Sequence, residues 1–422
     1  MSEAGAAPDP GGGPASDRFT ALRRCIASDT ATFAATHWGR APLLTRQGEL
    51  DRDFTELLDA AAIDELVSRR GLRTPFLRMA KDGTVLAAAR FTRGGGAGAG
   101  VTDQAADDRI LTELGGGSTL VLQGLHRTWP PLVDFATDLA AELGHPVQVN
   151  AYITPPENRG FAAHYDVHDV FVLQVGGHKR WHVHEPVVRN PLPDQPWQQH
   201  RAAVASRAAE QPLIDVVLEP GDSLYLPRGY LHSADALGEI SIHLTVGIHP
   251  VTRHHLVQQL IARARDDPAL RTSLPMGVDL GDSQVLAPEL SATVSALAAH
   301  LASAAGSASV EAVAAGVADE VTTQTRPAPL GPLAQLQAVE TLGPETVLQL
   351  RRGLRCRIAR RGGELQLRLL DRTIELAISA ENAVKAVLTG ELLTPATLPG
   401  LDADEQLALA RRLLREGVLG PA

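Results

Sequence analysis

The sequence is poor in cysteine, in lysine and in long apolar runs, and each shortage excludes something. Only Cys25 and Cys356 are present. Two thiols far apart in the chain make neither a disulfide framework nor a cysteine-rich zinc site. No apolar run approaches the roughly 20 residues needed to cross a membrane, so no membrane partner is expected. The opening stretch, MSEAGAAPDPGGGPAS, lacks the basic-then-apolar order of a secretion signal. It reads as a disordered tail over residues 1–17 of a cytoplasmic protein. The net charge of −10 argues against a protein coated in nucleic acid. Of the 39 basic residues only Lys81, Lys179 and Lys385 are lysines. The excess of Ala, Gly and Arg suggests a high-GC bacterial genome, in which a surviving lysine is less readily dismissed as a generic surface charge.

What is present is a chain of 422 residues, 44% of them apolar, enough for two or three domains. Residues 18–39 read as one amphipathic helix ending near Gly39, and DFTELLDAAAIDELVSRR as a helix pair. The glycine-rich stretches 94–100 and Gly115–Gly117 lack a P-loop lysine and read as loops. PLVDFATDLAAELG reads as a helix stopped by Gly144. Short β-rich runs then follow, VQVNAYIT, DVFVLQVGG, KRWHVH, LIDVVLEPGD, SLYLP and ISIHLTVGI, separated by Gly, Pro or Asp. Such a series suggests an antiparallel barrel or sandwich. Beyond residue 250 the pattern is helical again. LVQQLIARA and LSATVSALAAHLASA carry apolar stripes that a second copy of the chain would cover, which points to a homodimer. After Pro327 and Pro329 comes a last module: helix, the strand pair LRCRIARRGGELQLRLLD, helix, helix, the layout of a winged helix. Six arginines fall in the window 351–361, but residues 331–422 hold 12 basic and 11 acidic side chains, so a solvated hairpin face is the blander reading and direct nucleic-acid binding is not expected.

The segment FAAHYDVHDV carries His164 and Asp166. Strand side chains alternate, so residues i and i+2 share a face and both can reach one metal. EPGDSLYLPRGYLH supplies a third ligand: Gly221, five residues, Pro227, four residues and His232 reproduce a cupin-type spacing. Two imidazoles and one carboxylate on one face of an octahedral metal leave three positions open, as in non-haem iron(II) oxygenases. In GHKRWHVHEP, alternation puts Lys179, Trp181 and Val183 on the inner face. Arg180, His182 and His184 then face outward as surface or packing residues. An inward lysine is costly unless a ligand carboxylate meets it. His168 could line the substrate mouth, and His243 shares a face with Thr245.

NAYITP, HYDVHDVFVLQVGGHKRW, LEPGDSLYLPRGYLHSA and SIHLTVG together resemble the Jumonji C group called ribosomal oxygenases, over about residues 18–422. The resemblance implies an α+β chain with a double-stranded β-helix (cupin, Jumonji C) barrel at 18–250, a helical dimerisation segment at 251–328 and a winged-helix-like domain at 329–422. It implies Fe(II) held by His164, Asp166 and His232, and 2-oxoglutarate gripped at its far carboxylate by Lys179. Asn150 and Thr245 would line the cosubstrate pocket. Dioxygen would be the oxidant, and a histidine or arginine of a ribosomal protein the target. Gly247 departs from the pattern, since eukaryotic relatives tend to carry a small polar residue there. A hydroxylase of a biosynthetic peptide or small metabolite, and a non-enzymatic dimeric scaffold or regulator, are the competing readings. The intact triad and Lys179 disfavour the scaffold.

Overall fold

A computed structural model describes residues 20–50, 52–81, 83–156, 162–277, 279–303 and 306–422. The tail expected at 1–17 lies outside them. Residues 1–250 and 251–422 form two compact units.

The first unit is built on two antiparallel sheets. The larger one uses β1 (Leu43–Thr45), β2 (Leu77–Lys81), β3 (Thr84–Val85), β4 (Thr119–Leu122), β5 (Val147–Thr154) and β6 (Asp169–Gly176). After β7 (Lys179–His184), β8 (Ile214–Leu218), β9 (Ser223–Leu226) and β10 (Leu231–Ala236), the chain closes with β11 (Ser241–Ile248). The order in the larger sheet is β1-β9-β6-β11-β5-β4-β2-β3, and in the smaller one β8-β7-β10. All six β-rich runs expected from the sequence are strands. β10 was not foreseen, because its Asp235 and three small residues give no strand signal.

Strand β6 shows why the sheets sandwich a cavity. Seven of its eight residues are buried. Phe171 and Leu173 pack in one core with Phe33, Tyr225 and the helix Pro130–Leu143, through Leu132, Phe135 and Leu139. Val170 and Val172 alternate to the other face and pack with Trp181, Val183, Leu218 and Leu226. Each such large side chain, when fully buried, stabilises the fold by about 1.5–3 kcal/mol. The helix Pro130–Leu143 ends where expected, on Gly144 in the left-handed conformation. The helix expected over 18–39 is instead two short ones, Thr20–Arg23 and Thr30–Thr36. Asp29 caps the second by accepting from Thr32 N, so it begins a new helix rather than continuing the first. The helix pair expected in DFTELLDAAAIDELVSRR reduces to one helix, Ala60–Arg69, capped by Asp59.

In the second unit, Arg253–Ala264, Ser283–Ser303 and Ser307–Gln324 are helices. Ser283–Ser303 is long and apolar enough to cross a membrane by length and composition, against the expectation that no stretch is. Its Ala, Leu and Val are spread among Ser and Thr, so no unbroken apolar run betrays it. The terminal module has the helix Pro332–Glu340, a hairpin of Arg357–Arg361 with Glu364–Arg368, and the helices Glu381–Val387 and Ala403–Arg415. A third strand, Thr373–Ala377, extends the hairpin. The arginine window is tied into this unit: Arg357 pairs with Asp319 at 2.6 Å, Arg360 donates to Glu381 at 2.8 Å, and Arg351 donates to Ala328 O at 2.6 Å.

Two glycines shape the turns that bring β9 and β10 to the cavity. Gly221 sits at φ +92°, and a Cβ there would fall 2.2 Å from Gln47 Cγ and 2.8 Å from Gln47 Cβ. Gly229 sits at φ +91°, and its Cβ would fall 2.4 Å from Val188 O, a backbone atom that cannot move aside alone. Gly229→Ala is therefore expected to destabilise the barrel by about 1–3 kcal/mol. Thermal denaturation checks this, and a melting temperature equal to wild type would show the turn to be unstrained.

Candidate metal centre

His164 and His232 meet through their backbones. Each donates its N–H to the other's carbonyl, His164 N to His232 O at 3.1 Å and His232 N to His164 O at 2.8 Å. This isolated antiparallel bridge is the local structure at His164. The residues from His164 to His168 are not a regular strand as expected; β6 starts only at Asp169. The i, i+2 relation still delivers both side chains, because the segment is held extended by the bridge and by Gly229 N donating to Asp166 O at 3.0 Å.

The side chains converge. One candidate ligand atom from each of His164, Asp166 and His232 lies within 4.8 Å of the others, the one such group found among the described residues. His232 Nε2 is 3.7 Å from Asp166 Oδ2, and the two imidazole centroids are 4.5 Å apart. His164 Nδ1 faces Ala162 O at 2.8 Å and His232 Nδ1 faces Tyr230 O at 3.2 Å. A carbonyl only accepts, so Nδ1 of both rings carries a proton and Nε2 is the atom each ring can offer a metal. Burial, reinforced by His164, pulls His232 down to about 4, which keeps its ring neutral. Burial pushes the Asp166 carboxyl up, but the imidazoles of His168, His232 and His164 outweigh it and hold the group below its ordinary value. Two imidazoles and a carboxylate are the donor set a divalent first-row metal takes.

The cavity beside this group has a volume of about 370 Å³. Lys179 lines it at 3% exposure, with Nζ donating to Thr154 Oγ1 at 3.0 Å. Burial pulls its ammonium down to about 8, with Asp235 opposing. Asn150 and Thr245 also line the cavity and are register partners on β5 and β11. Asn150 Oδ1 is engaged, accepting from Gly124 N at 3.1 Å. His243 is buried on the same wall, stacked on Tyr152 at 5.0 Å and edge-on to Trp181 at 5.4 Å. Trp181 Nε1 and His243 Nδ1 are buried without hydrogen-bond partners among the described residues. His182 and His184 face away from the cavity as expected. His182 lies 3.5 Å from Asp215 and 3.6 Å from Asp235. His184 is a packing residue at 4% exposure.

Sequence reasoning missed Tyr152, Thr154, Arg78, Gln123, His126 and Gln148, all of which line the cavity. The alternation Asn150, Tyr152, Thr154 in NAYITP carried the signal for two of them. Arg78 donates to Tyr152 from a strand in a region read as helix and loop.

Asp169 fastens the two ligand segments to each other. It is 1% exposed and accepts from Tyr225 OH at 2.7 Å and from Arg228 N at 3.0 Å, with Arg228 Nη1 at 3.4 Å.

Residues 133–256 match the JmjC domain family. The chain is 33% identical to Gallus gallus ribosomal oxygenase 1 over 216 residues, 51% of this chain and 34% of that one. It is 37% identical over 140 residues to the Drosophila erecta bifunctional lysine-specific demethylase and histidyl-hydroxylase NO66, 31% of this chain and 20% of that one. It thus spans at most about a third of the length of these curated relatives. Among solved structures it resembles the Escherichia coli ribosomal oxygenase YcfD, with a TM-score of 0.53, 18% identity and coverage of 94% of this chain and 98% of that one. Another structure of YcfD, in complex with cobalt and 2-oxoglutarate, aligns with a TM-score of 0.51 at 17% identity over 93% of this chain and 98% of that one.

Removing the Asp169 carboxylate strands the Tyr225 hydroxyl and the Arg228 cation in a dry interior. Asp169→Ala should cost about 3–5 kcal/mol and weaken Co(II) binding in parallel. Thermal melts and a Co(II) titration check it; metal affinity equal to wild type would show the ligand segments to be positioned without the clamp.

Proposed function

We propose that this chain, a member of the JmjC family whose residues 133–256 form the JmjC domain, is an iron(II)- and 2-oxoglutarate-dependent oxygenase that hydroxylates a protein side chain. The observation that carries the reading is one cavity with His164, Asp166 and His232 at its wall and the buried ammonium of Lys179 inside it. The residues fit the groups they would hold. The triad would present two imidazoles and a carboxylate to Fe(II). Lys179 has a hydroxyl for its partner where a carboxylate would satisfy its charge. Iron and 2-oxoglutarate, when bound, supply the oxidation: dioxygen converts 2-oxoglutarate to succinate and carbon dioxide and puts one oxygen atom into a substrate C–H bond.

The chain's own part is binding, orientation and exclusion of water. Lys179 and Thr154 receive the far carboxylate. Trp181, Val170 and Val172 wall the cavity, and Asn150 and Thr245 flank the cosubstrate. The relatives' names support a ribosomal protein as substrate and, for one of them, histidine as the target; arginine as the other target and a bacterial cytoplasm we carry over from the reading of the sequence.

Three consequences can be measured. His164→Ala and Asp166→Ala should fold and lose iron-dependent succinate formation; full turnover by either would end the triad assignment. Lys179→Ala should raise the 2-oxoglutarate KM about tenfold or more, since a charge-assisted hydrogen bond contributes about 1.5–3 kcal/mol. Its pH dependence has a definite sign: the empty site holds a charged lysine below about 8, so 2-oxoglutarate affinity should fall as pH rises through that value. A flat affinity from pH 7 to 9 would place the carboxylate elsewhere.

We also read 251–328 as a dimerisation segment and 329–422 as a winged-helix-like module. No described residue of the helix Ser283–Ser303 is buried. Leu290, Val294 and Leu301 are exposed on it, and with Leu297 they follow a 4-3-4 spacing, the seam by which helices pair. A second copy presents the same stripe and covers it by two-fold symmetry. Light scattering in detergent-free buffer should give twice the chain mass, and Val294→Glu should give monomers that still bind Co(II). A single-chain mass at all concentrations would exclude the dimer.

A further inference from the structure

A buried carboxamide, Gln174, sits on β6 one step past Val170 and Val172, which line the cavity. Its register partner on β11 is His243, also in the cavity wall. Register partners share a face, so Gln174 points inward. It is fully buried. Its Nε2 donates to Gly176 O and to Gly177 O at 2.9 Å each and reaches Ser241 Oγ at 2.9 Å, two N–H bonds among three acceptors. The two carbonyls fix the amide's orientation, since Oε1 in that place would meet acceptors only.

These contacts fall at the two ends of the Lys179 interaction. Gly176 and Gly177 lead into β7, and Lys179 is the first residue of β7. Ser241 opens β11 and is the register partner of Thr154, whose hydroxyl accepts from Lys179 Nζ. One side chain therefore ties the backbone that carries the ammonium to the backbone opposite its partner. The turn is also pressed against the chain before β11: a Cβ on Gly177, at φ +59°, would fall 2.1 Å from Ile240 O.

Packing alone does not call for a glutamine there. Its Oε1 is buried with no partner among the described residues, an acceptor left unmatched at a cost in free energy. Val170 and Val172 on the same face pack with Trp181 in an apolar cluster. A leucine would extend that cluster and leave no polar atom idle, so what the position keeps is the donor.

We infer that Gln174 is a positioning residue for the cosubstrate: by clamping the Gly176–Gly177 turn to Ser241 it aims Lys179 at the far carboxylate. This rests on the oxygenase reading and deepens it. A lysine stem is flexible, so the aim of its charge depends on how firmly its own backbone is held.

Calorimetric titration of Co(II)-loaded protein tests this with two ligands, 2-oxoglutarate and 2-oxobutanoate, which keeps the keto-acid head and lacks the far carboxylate. Gln174→Leu should weaken 2-oxoglutarate binding about tenfold and leave 2-oxobutanoate and Co(II) binding as in wild type. In a Lys179→Ala background the same substitution should change nothing, because the group it aims is gone. Ser241→Ala, a milder variant that removes one acceptor of the clamp, should give about a threefold loss with the same dependence on Lys179; it decides the matter if Gln174→Leu does not fold. Equal losses for the two ligands, a loss that persists without Lys179, or unchanged 2-oxoglutarate affinity overturns the inference while the oxygenase reading stands. Wild-type protein that binds Co(II) but not 2-oxoglutarate fails the oxygenase reading, and this inference with it.

Discussion

Two reciprocal hydrogen bonds between the backbones of His164 and His232 hold the candidate centre together. They join segments that arrive from different parts of the chain, one leading into the long strand Asp169–Gly176, the other opening the strand Leu231–Ala236. Side chains on a bridged antiparallel pair are held a few ångströms apart, so the distance between the imidazoles is set by backbone geometry before any metal is present. Gly229 and Asp169 extend the same constraint. The first ties its N–H to the Asp166 carbonyl, and the second bolts the Arg228 turn to the start of the strand. A ligand set prepared in this way does not have to be ordered by the ion, which is what a site with open coordination positions requires.

The electrostatics of the cavity follow from what its walls lack. The described lining has one acid beside Arg78 and Lys179, and burial pulls His126, His232 and His243 below the ordinary imidazole range. Neutral imidazoles can serve as metal ligands and as hydrogen-bond donors in the same small volume, where protonated ones would repel each other and the metal. His243, pulled well below its ordinary range by burial and by Lys179 and His232 nearby, is the clearest case.

Much of the centre was legible because its signals are short and local. His164, Asp166 and the Gly221–Pro227–His232 spacing lie within two brief segments, and the phase of Lys179 followed from strand alternation past Trp181 and Val183. Where the reading went astray, tertiary structure decided. His164 and Asp166 occupy an irregular segment held by a bridge to a distant strand, which no pattern within ten residues reveals. The strand Leu231–Ala236 is rich in small residues, with one acid at Asp235, and is a strand because it pairs with Lys179–His184. Arg78 comes from a part of the chain whose strands are short and widely spaced. The helix expected before Gly39 was divided by Asp29, whose preference for a cap overrode a helical pattern in the neighbouring residues.

Lys179 also couples the endurance of the barrel to its contents. Empty, the interior carries an amine taken out of water against a single hydroxyl, so the vacant protein forgoes part of the stability its packing would otherwise give. A dicarboxylate that binds the folded chain and not the unfolded one restores it, by about 2.7 kcal/mol at a hundredfold excess over Kd. Proteases act on the unfolded fraction, and a shift of that size changes the fraction nearly a hundredfold. The supply of such a dicarboxylate would then set how long each folded molecule survives.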